Sequence, residues 1–98
     1  MLLVGIYVTP VKQTEKAALL KDSKGENTWF PKSLVYMITG NKTEDGTIYN
    51  RQVWVPMWWA KQQGFLAKNF DGTDVYDLDI KEFEDEKIYN SKLYKQYH

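Results

Sequence analysis

The chain has 98 residues, 13 Lys/Arg against 13 Asp/Glu, one histidine and no cysteine. That length is one domain with one core, and 43 % apolar with 15 % aromatic residues fills such a core without disulfides or metal. The absence of cysteine excludes disulfide scaffolds, iron–sulfur clusters, thiol catalysis and cysteine-bound zinc.

No apolar run approaches the roughly 20 residues that cross a bilayer, so no membrane partner is expected. The opening Leu2-Leu3-Val4-Gly5-Ile6-Tyr7-Val8 has no basic segment before it and no small-residue cleavage site after it. It reads as a first strand rather than a signal peptide, and the cytoplasm is the expected compartment.

The zero net charge hides a dipolar distribution. Residues 1–68 carry nine Lys/Arg and five Asp/Glu, whereas 69–86 carry eight carboxylates against Lys81 alone. Lys87, Lys92 and Lys95 restore the balance. A run of this kind is ordinarily a solvated face.

Leu2 to Thr9 alternates with period two, leaving Leu2, Val4, Ile6 and Val8 on one face. Pro10 has no amide proton for a ladder, so the strand is expected to end there or run along an edge. Glu15 to Lys21 predicts a second strand, Asp22 to Asn27 a turn with Gly25 at positive φ, and Thr28-Trp29-Phe30 the start of a third. Residues 16–30 therefore read as a hairpin. Leu34 to Ile38 resumes extended character, Gly40 to Gly46 reads as a turn, and Thr47 to Val55 is a further strand. In it Tyr49, Arg51, Val53 and Val55 share one face, and Ile48, Asn50, Gln52 and Trp54 the other.

The period changes at Pro56, a residue favoured at the first helical position. Met57 to Gln63 makes two turns, and Gly64 is a natural left-handed stop. Trp58 with Phe65, and Trp59 with Leu66, are expected to cap the sheet. The acidic stretch offers an edge strand at 75–81. Beyond it, Tyr89, Leu93 and Tyr97 give Glu84 to His98 a weak helical stripe. The expected architecture is mainly β: a small curved sheet or partly open barrel, one short helix near 56–64, and a C-terminal helix. Residues 1–98 read as one domain, with 1–66 the β-rich core and 67–98 an acidic segment and extension.

Catalytic machinery is poorly supplied. His98, the only histidine, is the last residue, and the carboxylates of 71–86 lie in one local run. Acid–base work needs carboxylates in unequal environments on separate elements. The glycines are isolated, so no phosphate loop forms. Asp71 to Asp79 lacks the spacing of a calcium loop, in which alternating ligands precede the glycine. The expectation is a protein that is not an enzyme, with no metal, cofactor or small-molecule substrate.

Aromatics interleaved with cations are the better-supplied chemistry. Single-strand binders stack bases on aromatic faces and track the backbone with Lys/Arg. Lys16, Lys21, Trp29 and Lys32 fall on the hairpin and Arg51 on a later strand, which makes them the candidate nucleic-acid-binding residues. Ordinary core packing competes for the aromatics, and zero net charge is unlike a dedicated nucleic-acid binder. Trp58 and Trp59 point about 100° apart on a helix, so one is expected inside and one outside. Trp58 and Trp59, with the acidic 69–86, are the alternative: a protein-interaction surface.

The run Thr14-Glu15-Lys16-Ala17 through Trp29-Phe30-Pro31-Lys32-Ser33, followed by Val55-Pro56-Met57-Trp58-Trp59-Ala60, resembles a pattern in short proteins of phages and integrative or conjugative elements. The resemblance covers roughly residues 14–66 and implies a small barrel of the oligonucleotide-binding or SH3-like kind, encoded near replication, recombination or transfer functions. It implies a class of small proteins and not an activity; the expected function is that of a non-catalytic accessory protein of a mobile element, with single-stranded nucleic acid or a nucleic-acid-processing protein as partner. The resemblance does not reach the acidic segment.

Overall fold

The computed structural model describes residues 1–89. It is mainly β, an antiparallel six-stranded sheet that curls without closing. Its elements are β1 (Leu2–Gln13), β2 (Ala17–Asp22), β3 (Asn27–Pro31), β4 (Met37–Lys42), β5 (Ile48–Pro56), α1 (Met57–Gln62), β6 (Leu78–Glu82) and α2 (Asp85–Tyr89), with one 3₁₀ turn at Lys32–Leu34. The strand order is β3-β2-β1-β5-β4, and β6 also pairs with β1. No helix among the described residues is long and apolar enough to cross a membrane. Most of the C-terminal helix expected over 84–98, and His98 itself, lie outside the described residues.

The long β1 organises everything else. Its first half is flanked by two strands at once, with Val4 opposite both Val55 and Ile80. Its second half leaves β5 after Tyr7 and pairs instead with β2, from Val8↔Asp22 to Gln13↔Ala18. Of the two expectations for Pro10 the second holds: the strand does not end there but runs along an edge, paired with β2 alone. The chain passes through it at a bulge between Pro10 and Lys12, one of the positions where a sheet tolerates proline. The bulge adds the bend that rolls the sheet.

Strand alternation divides the interior in two. Val4, Ile6, Val8, Val53 and Val55 face Leu20 and Phe30 of the hairpin, Trp59 and Ala60 of α1, and Phe65. Each such fully buried side chain is worth roughly 1.5–3 kcal/mol. On the opposite face Leu3 and Trp54 pack with Ile88 of α2, beside Phe83 and Met37.

The hairpin forms as expected, with Leu19 opposite Trp29, Ala18 opposite Phe30, and Gly25 at φ 82°. Asp22 fastens its turn, accepting at Oδ1 from the amides of Lys24 (2.9 Å) and Glu26 (3.1 Å). The turn expected at 40–46 is shorter, because β4 runs on through Gly40 to Lys42. Thr39 pairs with Gln52 and Asn41 with Tyr49, so Gly40 faces both Asn50 and Arg51. Asn50 takes φ 53° there, a left-handed conformation that asparagine tolerates better than most residues. The segment 34–36 that the sequence assigned to a strand is 3₁₀ turn and coil, and the acidic edge strand starts at Leu78 rather than 75.

Helix α1 lies within the predicted 56–64, with Pro56 as its N-cap rather than its first residue and Gly64 at φ 84° beyond its end. The capping pairs differ from expectation: Trp59, not Trp58, meets Phe65 (ring centroids 6.3 Å) and Phe30 (5.1 Å).

The β4–β5 turn yields a pH prediction. The Thr43 hydroxyl and the Thr47 amide donate to the Asp45 carboxylate, which holds its pKa at about 2, below the ordinary 3.8. A carboxyl depressed by folding contributes fully above its unfolded value, and the contribution is lost as pH falls through the folded one. The turn is expected to persist as pH drops past 3.8 and to loosen near 2. An NMR titration of Asp45 checks this, and a midpoint at the ordinary carboxylate value contradicts it.

Candidate nucleic-acid interface

Where β1 parts from β5, the curled sheet opens into a groove of about 410 Å³, within the range of ligand sites at roughly 300–1,000 Å³. Its floor is apolar and buried, formed by Leu20, Val35 and Val53. Val11 at the β1 bulge and Ile38 of β4 form its walls, and both are about half exposed, at 46 % and 54 %. Lys12, Lys32 and Arg51 also line it, and no carboxylate does. Among the described residues none of these three cations forms an ion pair.

The local sequence explains each placement. The bulge sets Lys12 opposite Leu19, on the hairpin face that carries Trp29, so that Lys12 borders the groove at its rim. Pro31 ends the hairpin and leads into the 3₁₀ turn that carries Lys32, whose amide donates to the Lys16 carbonyl at 2.9 Å. Arg51 follows the left-handed Asn50 and so returns to the face that holds Val53.

On the outer face of the hairpin Trp29 is 44 % exposed, and the Lys12 ammonium lies 5.8 Å from its ring centroid. A cation over an indole face is attractive by its quadrupole. Lys21, two residues from Leu19 on the same face, also lines a second hollow that it shares with Thr9, Asn50 and Arg51.

No family, curated protein or solved structure matches the chain.

The five residues singled out from sequence thus do not form one surface. Lys32 and Arg51 line the groove, Trp29 and Lys21 stand on the outer face of the hairpin, and Lys16 lies at the hairpin's open end. Lys12, which sequence reasoning missed, joins groove to outer face, since it lines the one and covers Trp29 on the other. Its only sequence signal is the Pro10-Val11 break before it. Of the two residues proposed for a protein interface, Trp58 is 54 % exposed but Trp59 is 6 % exposed and belongs to the core. Burial of Trp59 among Phe30 and Phe65 removes it from any contact surface.

Among the described residues no three His, Asp or Glu side chains gather as metal ligands. The ionic contacts of the acidic segment are local or terminal. Lys68 Nζ meets Asp74 at 2.9 Å, and the Met1 amine meets Glu82 at 2.7 Å and Asp85 at 3.1 Å. Asp79 accepts from the Gln52 amide at 2.8 Å.

Proposed function

We propose that this protein is a non-catalytic module that binds single-stranded nucleic acid in the groove and over Trp29. The observation that carries the proposal is the convergence of Lys12, Lys32 and Arg51 on an apolar groove without a carboxylate, beside an exposed indole. A single strand offers the complement to both parts: phosphates for the cations and flat bases for Trp29 and the apolar floor. The acidic β6 side repels phosphate and so directs the strand to this end of the sheet. An accessory role in a mobile element accords with the resemblance over residues 14–66.

Fluorescence anisotropy with a labelled oligonucleotide at two salt concentrations tests the proposal. Affinity is expected to fall with salt, with a logarithmic slope of roughly −0.7 per phosphate contact. Lys32→Ala with Arg51→Ala should make that slope shallower by roughly 1.4. Trp29→Ala should weaken binding by about 1–3 kcal/mol at unchanged slope, and its exposure lets the variant fold. Absence of binding at low salt overturns the proposal. It leaves the second reading, an interaction with a nucleic-acid-processing protein through exposed Trp58 and the acidic segment.

A further inference from the structure

Between α1 and β6 the chain makes a small hairpin whose tip presents Phe70 entirely to water, at 113 % relative exposure. The tip is nonetheless firmly tied. Lys68 and Asp74 form a bridge, the Asn69 amide donates to the Thr73 carbonyl at 2.8 Å, and the Gly72 amide donates to the Asn69 carbonyl at 3.0 Å. Asp71 Oδ1 accepts from the Thr73 hydroxyl at 2.7 Å and from its amide at 3.0 Å, and Gly72 supplies the positive φ of 86°. An ordered turn thus holds out a large apolar side chain that packs on nothing among the described residues, with the carboxylate of Asp71 next to it.

The groove has the opposite character. Its floor is apolar, its polar lining includes three cations and no anion, and none of the cations has an ionic partner among the described residues. We propose that, where no nucleic acid fills the groove, the Phe70 tip of one copy inserts into the groove of a second copy, its ring on Leu20, Val35 and Val53 and its Asp71 carboxylate toward Lys32 and Arg51. The sequence-wide charge pattern supports the same occupant, because a basic 1–68 and an acidic 69–86 are complementary between copies stacked head to tail. The Asp71 pKa is lowered by its bonds to Thr73, so the tip keeps its charge into mild acid.

Such a contact joins two different surfaces, so a pair still has one free tip and one free groove, and association extends rather than stopping there. Its ionic part weakens with salt, since the Debye length shrinks to about 3 Å at 1 M.

Sedimentation of the full chain, without nucleic acid, tests this independently of the preceding section. The mean mass is expected to rise continuously with protein concentration at low salt, and to rise less at high salt. Phe70→Ser, which lacks the tip, and the double variant Lys32→Glu with Arg51→Glu, which lacks the groove charge, should each be monomeric alone. Mixed in equal amounts they should form one-to-one dimers and nothing larger, because only one intact tip and one intact groove remain. Recovery of the dimer also shows that both variants are folded. A monomeric wild-type chain at millimolar concentration overturns the proposal. So does self-association surviving in either variant, or failure of the mixture to pair.

Discussion

Phe30→Ala is expected to lower the free energy of unfolding by about 3–5 kcal/mol, the range for deleting a buried aromatic ring. Phe30 is fully buried, and its ring lies 5.1 Å from that of Trp59 and 5.8 Å from that of Phe65. It is the point at which the β2–β3 hairpin, an edge of the sheet, is fixed to α1 and to the segment after it. Domains are stable by only about 5–15 kcal/mol, so this one ring carries a large share of the total. Urea unfolding followed by tryptophan fluorescence measures the effect as a lower midpoint with an unchanged slope. A loss below about 1 kcal/mol, the level of an ordinary substitution, would mean that the hairpin does not depend on this cluster. The hairpin also supplies Ala18 and Leu20 to the groove, so surviving Phe30→Ala protein should bind oligonucleotide less tightly. Trp29→Ala separates the two roles of the same strand, because Trp29 lies on the exposed face and should leave stability nearly unchanged.

The parts of this fold legible in the sequence are those whose signals are local. Period-two alternation marks β1 and β5, Gly25 marks the hairpin turn, and Pro56 and Gly64 bracket α1. What was missed depends on partners distant in sequence. Pro10 reads as a strand end or an edge, and only the pairing with β2 beyond the reach of β5 decides for the edge. Gly40 looks like a turn, yet it sits inside β4 between the paired Thr39 and Asn41, where a Cβ would lie only 3.1 Å from Ile48 Cγ2 and a glycine avoids the contact.

The same limit governs the candidate site. The residue types were visible, but alternation counted along a strand fails at each bulge. The bulge after Pro10 moves Lys12 from the face of Leu20 to that of Leu19 and Trp29, and the hairpin's own alternation puts Lys21 and Trp29 on the outside. Phe70 was hidden inside an acidic run that reads as solvated surface.

Gly5 provides the second large effect, and it tests the closest approach within the sheet. Gly5 faces Trp54 across the β1–β5 ladder, and the indole lies flat over it. A Cβ at position 5 would fall 2.7 Å from Trp54 Cη2 and Cζ2 and 2.8 Å from Cε2. The ring has little room to retreat. Its Nε1 donates to Thr39 Oγ1 at 2.8 Å, the Phe83 ring abuts it at 5.2 Å, and the Lys81 ammonium lies 5.6 Å from its centroid. Gly5→Ala should therefore destabilise by about 2–3 kcal/mol, the upper part of the range for overpacking. Trp54→Leu alone should also destabilise, through lost packing and the lost bond to Thr39. In the Gly5→Ala background, however, it removes the clash as well as the contacts. The double variant should be more stable than the sum of the two losses implies, by about 1–2 kcal/mol of coupling. Strict additivity in denaturant midpoints would show that the ring does not rest on Gly5. Because Gly5 and Trp54 lie on the face of β1 and β5 opposite Val53 and the groove, oligonucleotide affinity per folded molecule should stay at the wild-type value in the double variant. A variant that loses binding in step with stability would instead couple the Trp54 face to the groove through the shared strands β1 and β5.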